Sequence, residues 1–385
     1  MVLSALAVCV GGECYLQIRE FRAFQRLADQ RYRFFEADPF VQIKVKPNSP
    51  EFHVNADGFR GDPLDRAAQT RRVFALGGSS TLMLPLPYGR TYPAQLQTKL
   101  RTRYPALSIQ VQNAACDWYS TEHSLIRYLF CIRDFKPEVV IIKHTINDLF
   151  RSFCPEWWCL PGASYRRDYS HYLGAVVRLA QKPIAYRPFR QCLLLRELRQ
   201  FLAQYIAPAP LDTRSAWMAN TNRLRLPLEA GSIPAFDAFY ARAQAVTVTN
   251  FPSLAAYEAN LRLLVQFLKQ DHVQVILETE PSLYRPGLTG RELRRLFYGP
   301  LHCAQANKYP DVASMAGGMS LFNGVVLKVA KELNIPVVDL DRSIPKTLDY
   351  FFDDVHPTAP ATEIEASLLC EEIVRLEWLT NRSRP

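Results

Sequence analysis

The chain has no internal repeat and no long low-complexity tract, which excludes solenoid and linker-type architectures. It also lacks a nucleic-acid-binding motif. Its basic residues form short clusters (Arg71-Arg72, Arg166-Arg167, and Arg291 with Arg294 and Arg295), with no long basic run. The net charge of +9 therefore describes either a solvated basic face or a leaning towards anionic surfaces or substrates, and no nucleic acid is expected as a partner. Cysteines number nine, and Cys154-Pro-Glu-Trp-Trp-Cys159 is a close pair. A second pair at zinc-finger spacing is missing, which argues against a structural zinc. An exported protein would join Cys154 to Cys159 as a disulfide, whereas a cytosolic one would keep both as buried thiols.

A full-length membrane run is lacking at the N-terminus as well. Val2 to Ile18 is mostly apolar with Glu13 as its one charge, but it is shorter than the roughly 20 residues that cross a bilayer. It has no basic leader and no clear small-x-small cleavage site, so it reads poorly as a signal peptide. Arg19, Arg22 and Arg26 follow it, as basic residues often flank membrane segments. Residues 1–25 read as the end of a signal anchor shortened at its start; the alternative is the first buried helix of a soluble protein. On the anchor reading the protein is membrane-associated or extracytoplasmic, and a cytoplasmic location stays open.

What is present is a globular composition, with 48% hydrophobic and 22% charged residues in 385 positions. From Arg71 onward, short apolar runs of strand character alternate with segments of helical periodicity. The spacing predicts strands at Val73–Leu76, Leu107–Val111, Val139–Ile142, Val273–Leu277 and Val337–Leu340. It predicts helices at Tyr92–Tyr104, Thr121–Phe135, Leu261–Lys269, Val326–Leu333 and from about Pro360 to Leu379. Continuous apolar strands separated by helices indicate a parallel sheet covered on both faces, with ligands beyond the carboxyl ends of its strands. Residues 26–70 read as an N-terminal extension packing on the core, and 71–385 as the catalytic domain. Between about 150 and 250 the rhythm breaks down into an insertion rich in aromatics, Arg and Pro, with a helical patch at Leu193–Ala203, expected to shape access to the site.

The polar candidates all lie at strand ends. Arg71-Arg72-Val73-Phe74-Ala75-Leu76 runs into Gly77-Gly78-Ser79-Ser80-Thr81, where glycines permit a sharp turn and a serine can project from a strand tip. Asp353-Asp354-Val355-His356-Pro357-Thr358 offers a base and an orienting carboxylate three residues apart, and Thr358 can cap the helix that follows. Asp354 is a second choice for the carboxylate. Asn147, in Thr145-Ile146-Asn147-Asp148, supplies a neutral donor able to stabilise an oxyanion, and Asn113-Ala114-Ala115 supplies backbone N–H groups.

In these four segments, which follow along the chain as Gly77–Thr81, Asn113–Ala115, Thr145–Asp148 and Asp353–His356, the chain resembles the SGNH hydrolases, the GDSL-type esterases and lipases. Asn55-Ala56-Asp57-Gly58-Phe59-Arg60-Gly61 also resembles a segment found before the nucleophile in many bacterial members. The resemblance implies a three-layer α/β/α sandwich with a mostly parallel, flavodoxin-like sheet, and ester hydrolysis without metal or other cofactor. It implies Ser79 as nucleophile, His356 as base and Asp353 as its orienter, with the Ser79 N–H, the Ala115 N–H and the Asn147 side chain as oxyanion donors. Gly78 stands where Asp is usual, Ala115 where Gly is typical, and Thr145 where the third block has Gly. A Gly-x-Ser-x-Gly elbow of the α/β-hydrolase kind is absent, because Thr81 occupies its last position.

The expected substrate is an acylated small molecule or polysaccharide. Removal of acetyl or short acyl groups from a carbohydrate or lipid-like ester is the leading reading; a glycan O-acyltransferase and a catalytically weak glycan-binding domain are the alternatives. Trp157, Trp158, Tyr165, Tyr169 and Tyr172 suit stacking on sugars and equally suit an acyl chain. His144 and His171 are either substrate contacts or ordinary core or surface histidines.

Overall fold

The structure, a computed structural model, describes residues 9–19, 22, 34–38, 40–153, 192, 194–195, 243–296 and 308–380. Most of the expected insertion lies outside the described residues, including Cys154, Trp157, Trp158, Cys159, Tyr165, Tyr169, His171, Tyr172 and most of Leu193–Ala203. Residues 9–19 are helical, and Val10, Tyr15 and Ile18 on that helix are exposed.

The strands are β1 (Phe35–Asp38), β2 (Gln42–Val45), β3 (Arg71–Gly77), β4 (Ile109–Asn113), β5 (Val139–Lys143), β6 (Gln244–Val246), β7 (Gln274–Glu278), β8 (Lys308–Pro310) and β9 (Val337–Val338). The principal helices are α1 (Ser79–Leu82), α2 (Tyr92–Arg103), α3 (Thr121–Arg127), α4 (Ile146–Arg151), α5 (Leu254–Gln270), α6 (Val312–Leu333) and α7 (Ala359–Arg375).

Five strands form one sheet in the order β4-β3-β5-β7-β9, and every pairing in it is parallel. The strands β3, β4 and β5 are buried along their whole length, as a sheet covered on both faces requires. Helix α2 packs on α7, while α5 packs on α3 and α6, giving the two helical layers of an α/β/α sandwich. The strand order is that of flavodoxin-like sheets, whose switch point lies between the first and third strands in sequence, here β3 and β5. Ser79 follows β3 and Asn147 follows β5, so the two flank that crevice. Register aligns the strand ends: Gly77 sits opposite Lys143, and Lys143 opposite Glu278.

Several boundaries differ from the periodicity, each for a local reason. The second strand runs two residues later than expected, because Asn113 pairs with Ala75. The helix expected through Phe135 stops as α3 at Arg127, and Tyr128–Ile132 and Arg133–Phe135 continue it with wider and then tighter turns. Helix α6 begins fourteen residues before the expected start, since the Asp311 side chain accepts from the Ser314 N–H at 2.7 Å and caps it. The last strand is cut to two residues by Asp339, whose side chain caps the next turn.

The Asn55–Gly61 segment packs on this sheet. Asn55 Oδ1 accepts from the N–H groups of Asp57 (3.0 Å) and Phe59 (3.1 Å). Gly58 has φ 76°, a value that favours glycine. The turn buries Phe59 edge-on against Phe74 and Phe135 and bridges Arg60 to Asn113.

Candidate active site

Strand β3 carries the chain into Gly77 and Gly78, and Ser79 opens α1. Neither glycine adopts a left-handed conformation; Gly78 has φ −91°. The unusual dihedrals expected of this turn are absent, and space is what demands glycine. A Cβ on Gly77 would lie 2.9 Å from the Lys143 carbonyl oxygen, and one on Gly78 only 2.5 Å from Asn147 Nδ2. The bare Gly78 thus lets Asn147 close on the turn.

The far end of α1 is held by two buried side chains. Arg60 donates to the carbonyls of Leu82 (2.8 Å), Met83 (2.6 Å) and Leu86 (2.6 Å), and Asn113 Nδ2 donates to Thr81 O at 2.7 Å. Burial lowers the Arg60 pKa to about 10, which leaves the guanidinium charged at neutral pH. These carbonyls close a helix end that would otherwise lack partners.

Asp353 organises the opposite side. Its Oδ1 accepts from the N–H groups of Val355 (3.1 Å) and His356 (3.0 Å), folding the loop so that His356 Nδ1 lies 2.8 Å from Oδ2. His356 Nε2 then reaches Ser79 Oγ at 2.8 Å. Burial would lower the His356 pKa, but the charge and hydrogen bond of Asp353, with Asp117 and Asp354 nearby, outweigh it and raise it above the ordinary value. Burial would raise Asp353, yet His356 and the backbone donors hold it below the ordinary range. An ionised Asp353 fixes the proton on Nδ1, which leaves Nε2 as the acceptor for the serine hydroxyl. Asp354 has other partners: its Oδ2 accepts from the Tyr284 hydroxyl, and its carbonyl accepts from the Leu283 N–H at 2.7 Å. Thr358 stands at the cap position of α7 but makes no side-chain cap; its hydroxyl donates to Asp349 O at 2.6 Å instead.

Asn147 Nδ2 donates to Tyr119 O at 2.8 Å, next to Gly78. Because a carbonyl can only accept, the nitrogen must face it, and its second hydrogen is available to a ligand. The Ala115 N–H does not fit its expected role. It donates to Asn113 Oδ1 at 3.1 Å, within a two-residue turn closed by the side chain, and is thereby engaged. Ala115 does not take a positive φ, so its methyl causes no backbone strain.

Thr145 enters a hydrogen-bond network: its hydroxyl lies 2.9 Å from Asn323 Oδ1 and 2.5 Å from His144 O. His144 is a buried core histidine bonded to Ser124 Oγ at 2.7 Å, and burial together with the Arg151 charge lowers its pKa to about 3. Asp148 is buried too. It accepts from the Thr121 hydroxyl (2.6 Å) and N–H, and burial pushes it up to about 7 against the pull of Arg151.

Periodicity did not single out Glu280, Asn323, Lys143 or Glu365. Glu280 accepts from Ser80 Oγ at 2.5 Å and from the Ile146 N–H at 2.7 Å. Lys143 donates to Glu365 at 2.5 Å, both fully buried. The available signal was polar residues at the carboxyl ends of apolar strands, Lys143 ending β5 and Glu278 ending β7 with Thr279-Glu280 after it. Among the described residues, no group of three or more His, Cys, Asp or Glu side chains is arranged to hold a metal ion.

No family model matches this sequence, and no curated protein matches it either. Solved structures with a similar fold include a catalytic mutant of an acetylxylan esterase from Geobacillus stearothermophilus (17% identity, TM-score 0.42, covering 83% of this chain and 100% of that one). Others are a GDSL-like lipase from Parabacteroides merdae (14% identity, TM-score 0.41, covering 78% and 94%) and the acetyl xylan esterase AlAXEase (11%, TM-score 0.40, covering 78% and 99%). These are similarities of architecture at low identity, and none of them supplies an activity to this chain.

Proposed function

We propose that this chain is a serine ester hydrolase of the SGNH type that removes acetyl or other short acyl groups from a carbohydrate or lipid-like ester. The observation that carries the reading is the unbroken chain Asp353 Oδ2 – His356 Nδ1 (2.8 Å) and His356 Nε2 – Ser79 Oγ (2.8 Å). A serine hydroxyl is a weak nucleophile until a base within hydrogen-bond reach accepts its proton, and this spacing meets that need. In the acylation step Ser79 Oγ bonds to the ester carbonyl carbon while its proton passes to His356 Nε2. Asp353 stabilises the imidazolium that results.

The tetrahedral intermediate carries its negative charge on the former carbonyl oxygen. Asn147 Nδ2 and the Ser79 N–H, at the start of α1, are the donors assigned to that oxygen. His356 then protonates the departing alcohol, leaving Ser79 acylated. A water molecule, activated by the same imidazole, hydrolyses that acyl-enzyme and restores the serine. Ser79 is half-buried, while its base His356 is buried.

The test is steady-state turnover of an aryl acetate by the wild type, Ser79→Ala and His356→Ala, followed by acetylated oligosaccharides against long-chain esters. Turnover abolished in both variants, with unchanged circular dichroism, supports the reading. Hydrolysis retained by Ser79→Ala contradicts it. Preference between the two ester panels then decides whether the alcohol is a sugar or a lipid-like group.

A further inference from the structure

Glu280 lies two residues beyond β7, and β7 is separated from β3 by β5. Its side chain crosses the end of β5 and joins the turns that follow the other two strands. Oε1 accepts from Ser80 Oγ at 2.5 Å, and Ser80 is the residue after the serine assigned as nucleophile. Oε2 accepts from the Ile146 N–H at 2.7 Å, and Ile146 is the residue before Asn147. One rigid carboxyl group thus spans the two turns that flank the switch-point crevice.

The backbone of Glu280 is itself locked. Its N–H donates to Asn323 Oδ1 at 2.9 Å and its carbonyl accepts from Asn323 Nδ2 at 3.0 Å, so the amide of one α6 side chain grips both sides of the residue. The Thr145 hydroxyl, whose single proton faces both the His144 carbonyl (2.5 Å) and the same Asn323 oxygen (2.9 Å), packs the start of the Asn147 turn against this cluster. Glu280, Asn323, Ser80 and Thr145 are all buried, so these bonds form in a medium that strengthens them and penalises their loss. Each oxygen of this buried carboxyl group is thus bonded to a different one of the two turns.

We propose that Glu280 is a positioning residue, setting the separation of the Ser79 turn from the Asn147 turn so that nucleophile and oxyanion donor act on the same carbonyl. This role rests on the serine-hydrolase reading above. Misplacing reacting groups by about 1 Å costs of the order of a hundredfold in rate, and substrate binding need not change with it. Glutamine keeps most of the geometry: its carbonyl accepts from Ile146 while its amide donates to Ser80 Oγ, whose hydroxyl can rotate. Leucine keeps the volume and removes both bonds.

The experiment measures kcat and KM on an aryl acetate for the wild type, Glu280→Gln and Glu280→Leu, each also carrying Asn147→Ala. In Glu280→Leu, kcat is expected to fall by about 10- to 100-fold with KM within about threefold, and Glu280→Gln recovers most of the loss. Asn147→Ala is expected to cost less in the Glu280→Leu background than in the wild type, the coupling a positioning role demands. A folded Glu280→Leu with wild-type kcat, or an Asn147→Ala penalty identical in both backgrounds, overturns the role. If Glu280→Leu does not fold, Ser80→Ala removes one arm of the bridge in its place. A several-fold loss of kcat at constant KM then supports the role, and an unchanged kcat overturns it. Ester turnover that survives Ser79→Ala overturns the hydrolase reading and this role together; Ser79-dependent turnover untouched at Glu280 overturns this role alone.

Discussion

Ser79 Oγ and His356 Nε2 lie 2.8 Å apart although 277 positions separate them in the chain. Two local devices produce that proximity. On one side, Arg60 and Asn113 hold the carbonyls of α1. On the other, Asp353 folds its own loop through the backbone N–H groups of Val355 and His356 before it touches the imidazole. The sheet's register then brings the two together at its carboxyl edge.

Asp353→Asn is expected to lower kcat by about 10³- to 10⁴-fold, since an amide no longer favours the productive tautomer. The pH profile should move as well. His356 must be neutral to act as base, and its pKa is raised, so kcat/KM in the wild type should climb with pH through a limb above the free-histidine value. With Asp353 neutralised, burial becomes the larger influence and the residual activity should show its limb at lower pH. A limb that stays in place would remove Asp353 as the group that raises His356.

Gly78→Ala tests the close approach of Asn147. The added methyl would sit 2.5 Å from Asn147 Nδ2 and 3.2 Å from Tyr119 O, so the amide must shift. Displacing one oxyanion donor costs about 10²- to 10³-fold in kcat, and the variant should fall in that range with its thermal midpoint lowered only slightly. Full activity in this variant would contradict the placement of Asn147.

Asp148 and His144 should act on stability with opposite signs. The folded-state pKa of Asp148 is raised to about 7, so its contribution is fully present below the unfolded value near 3.8 and is lost as pH rises through 7. That of His144 is lowered to about 3, so its contribution is present above 6.5 and is lost as pH falls through 3. The windows overlap, and each group alone is worth a few kcal/mol at most, by about 1.4 kcal/mol per pH unit. Denaturant midpoints from pH 4 to 7 should therefore vary little in the wild type on account of this pair. Asp148→Asn should add a rise in stability with increasing pH relative to wild type, and His144→Gln a fall.

Lys143 and Glu365 form an ion pair with both side chains about 1% exposed. Removing one partner strands a buried polar group, so Lys143→Met should destabilise the protein by about 3–5 kcal/mol. Lys143→Met with Glu365→Leu should recover most of that loss, because neither member is then left unpaired. Denaturant titrations of the single and double variants check both outcomes.

Ser79, Asp353, His356 and Asn147 were legible because each belongs to a short local pattern, Ser79 and Asn147 just after a recognisable strand and Asp353 with His356 in the loop before the last helix. The Asp353 loop needs three residues to define its geometry, and three residues of sequence are enough to see it. Ala115 misled for the converse reason: whether its N–H is available depends on the rotamer of Asn113, which spacing does not encode. The paired glycines were expected for their dihedrals, whereas crowding is what demands them, by the Thr81 side chain and the Lys143 carbonyl at Gly77 and by Asn147 at Gly78. The place of Glu280 at a strand end was visible, but its contacts were not, because its partners are 200 and 134 positions away. The parallel sheet followed from alternation of strand and helix, whereas element ends shifted where a side-chain cap intervened, Asp311 at the start of α6 and Asp339 after β9.

The most direct test of the central claim is to react the protein with a fluorophosphonate ester probe and locate the adduct by peptide mass spectrometry. A single adduct on Ser79, absent in Ser79→Ala and formed much more slowly in His356→Ala, is the predicted result. An adduct on Ser80 or elsewhere, or labelling that Ser79→Ala leaves unchanged, would contradict the account.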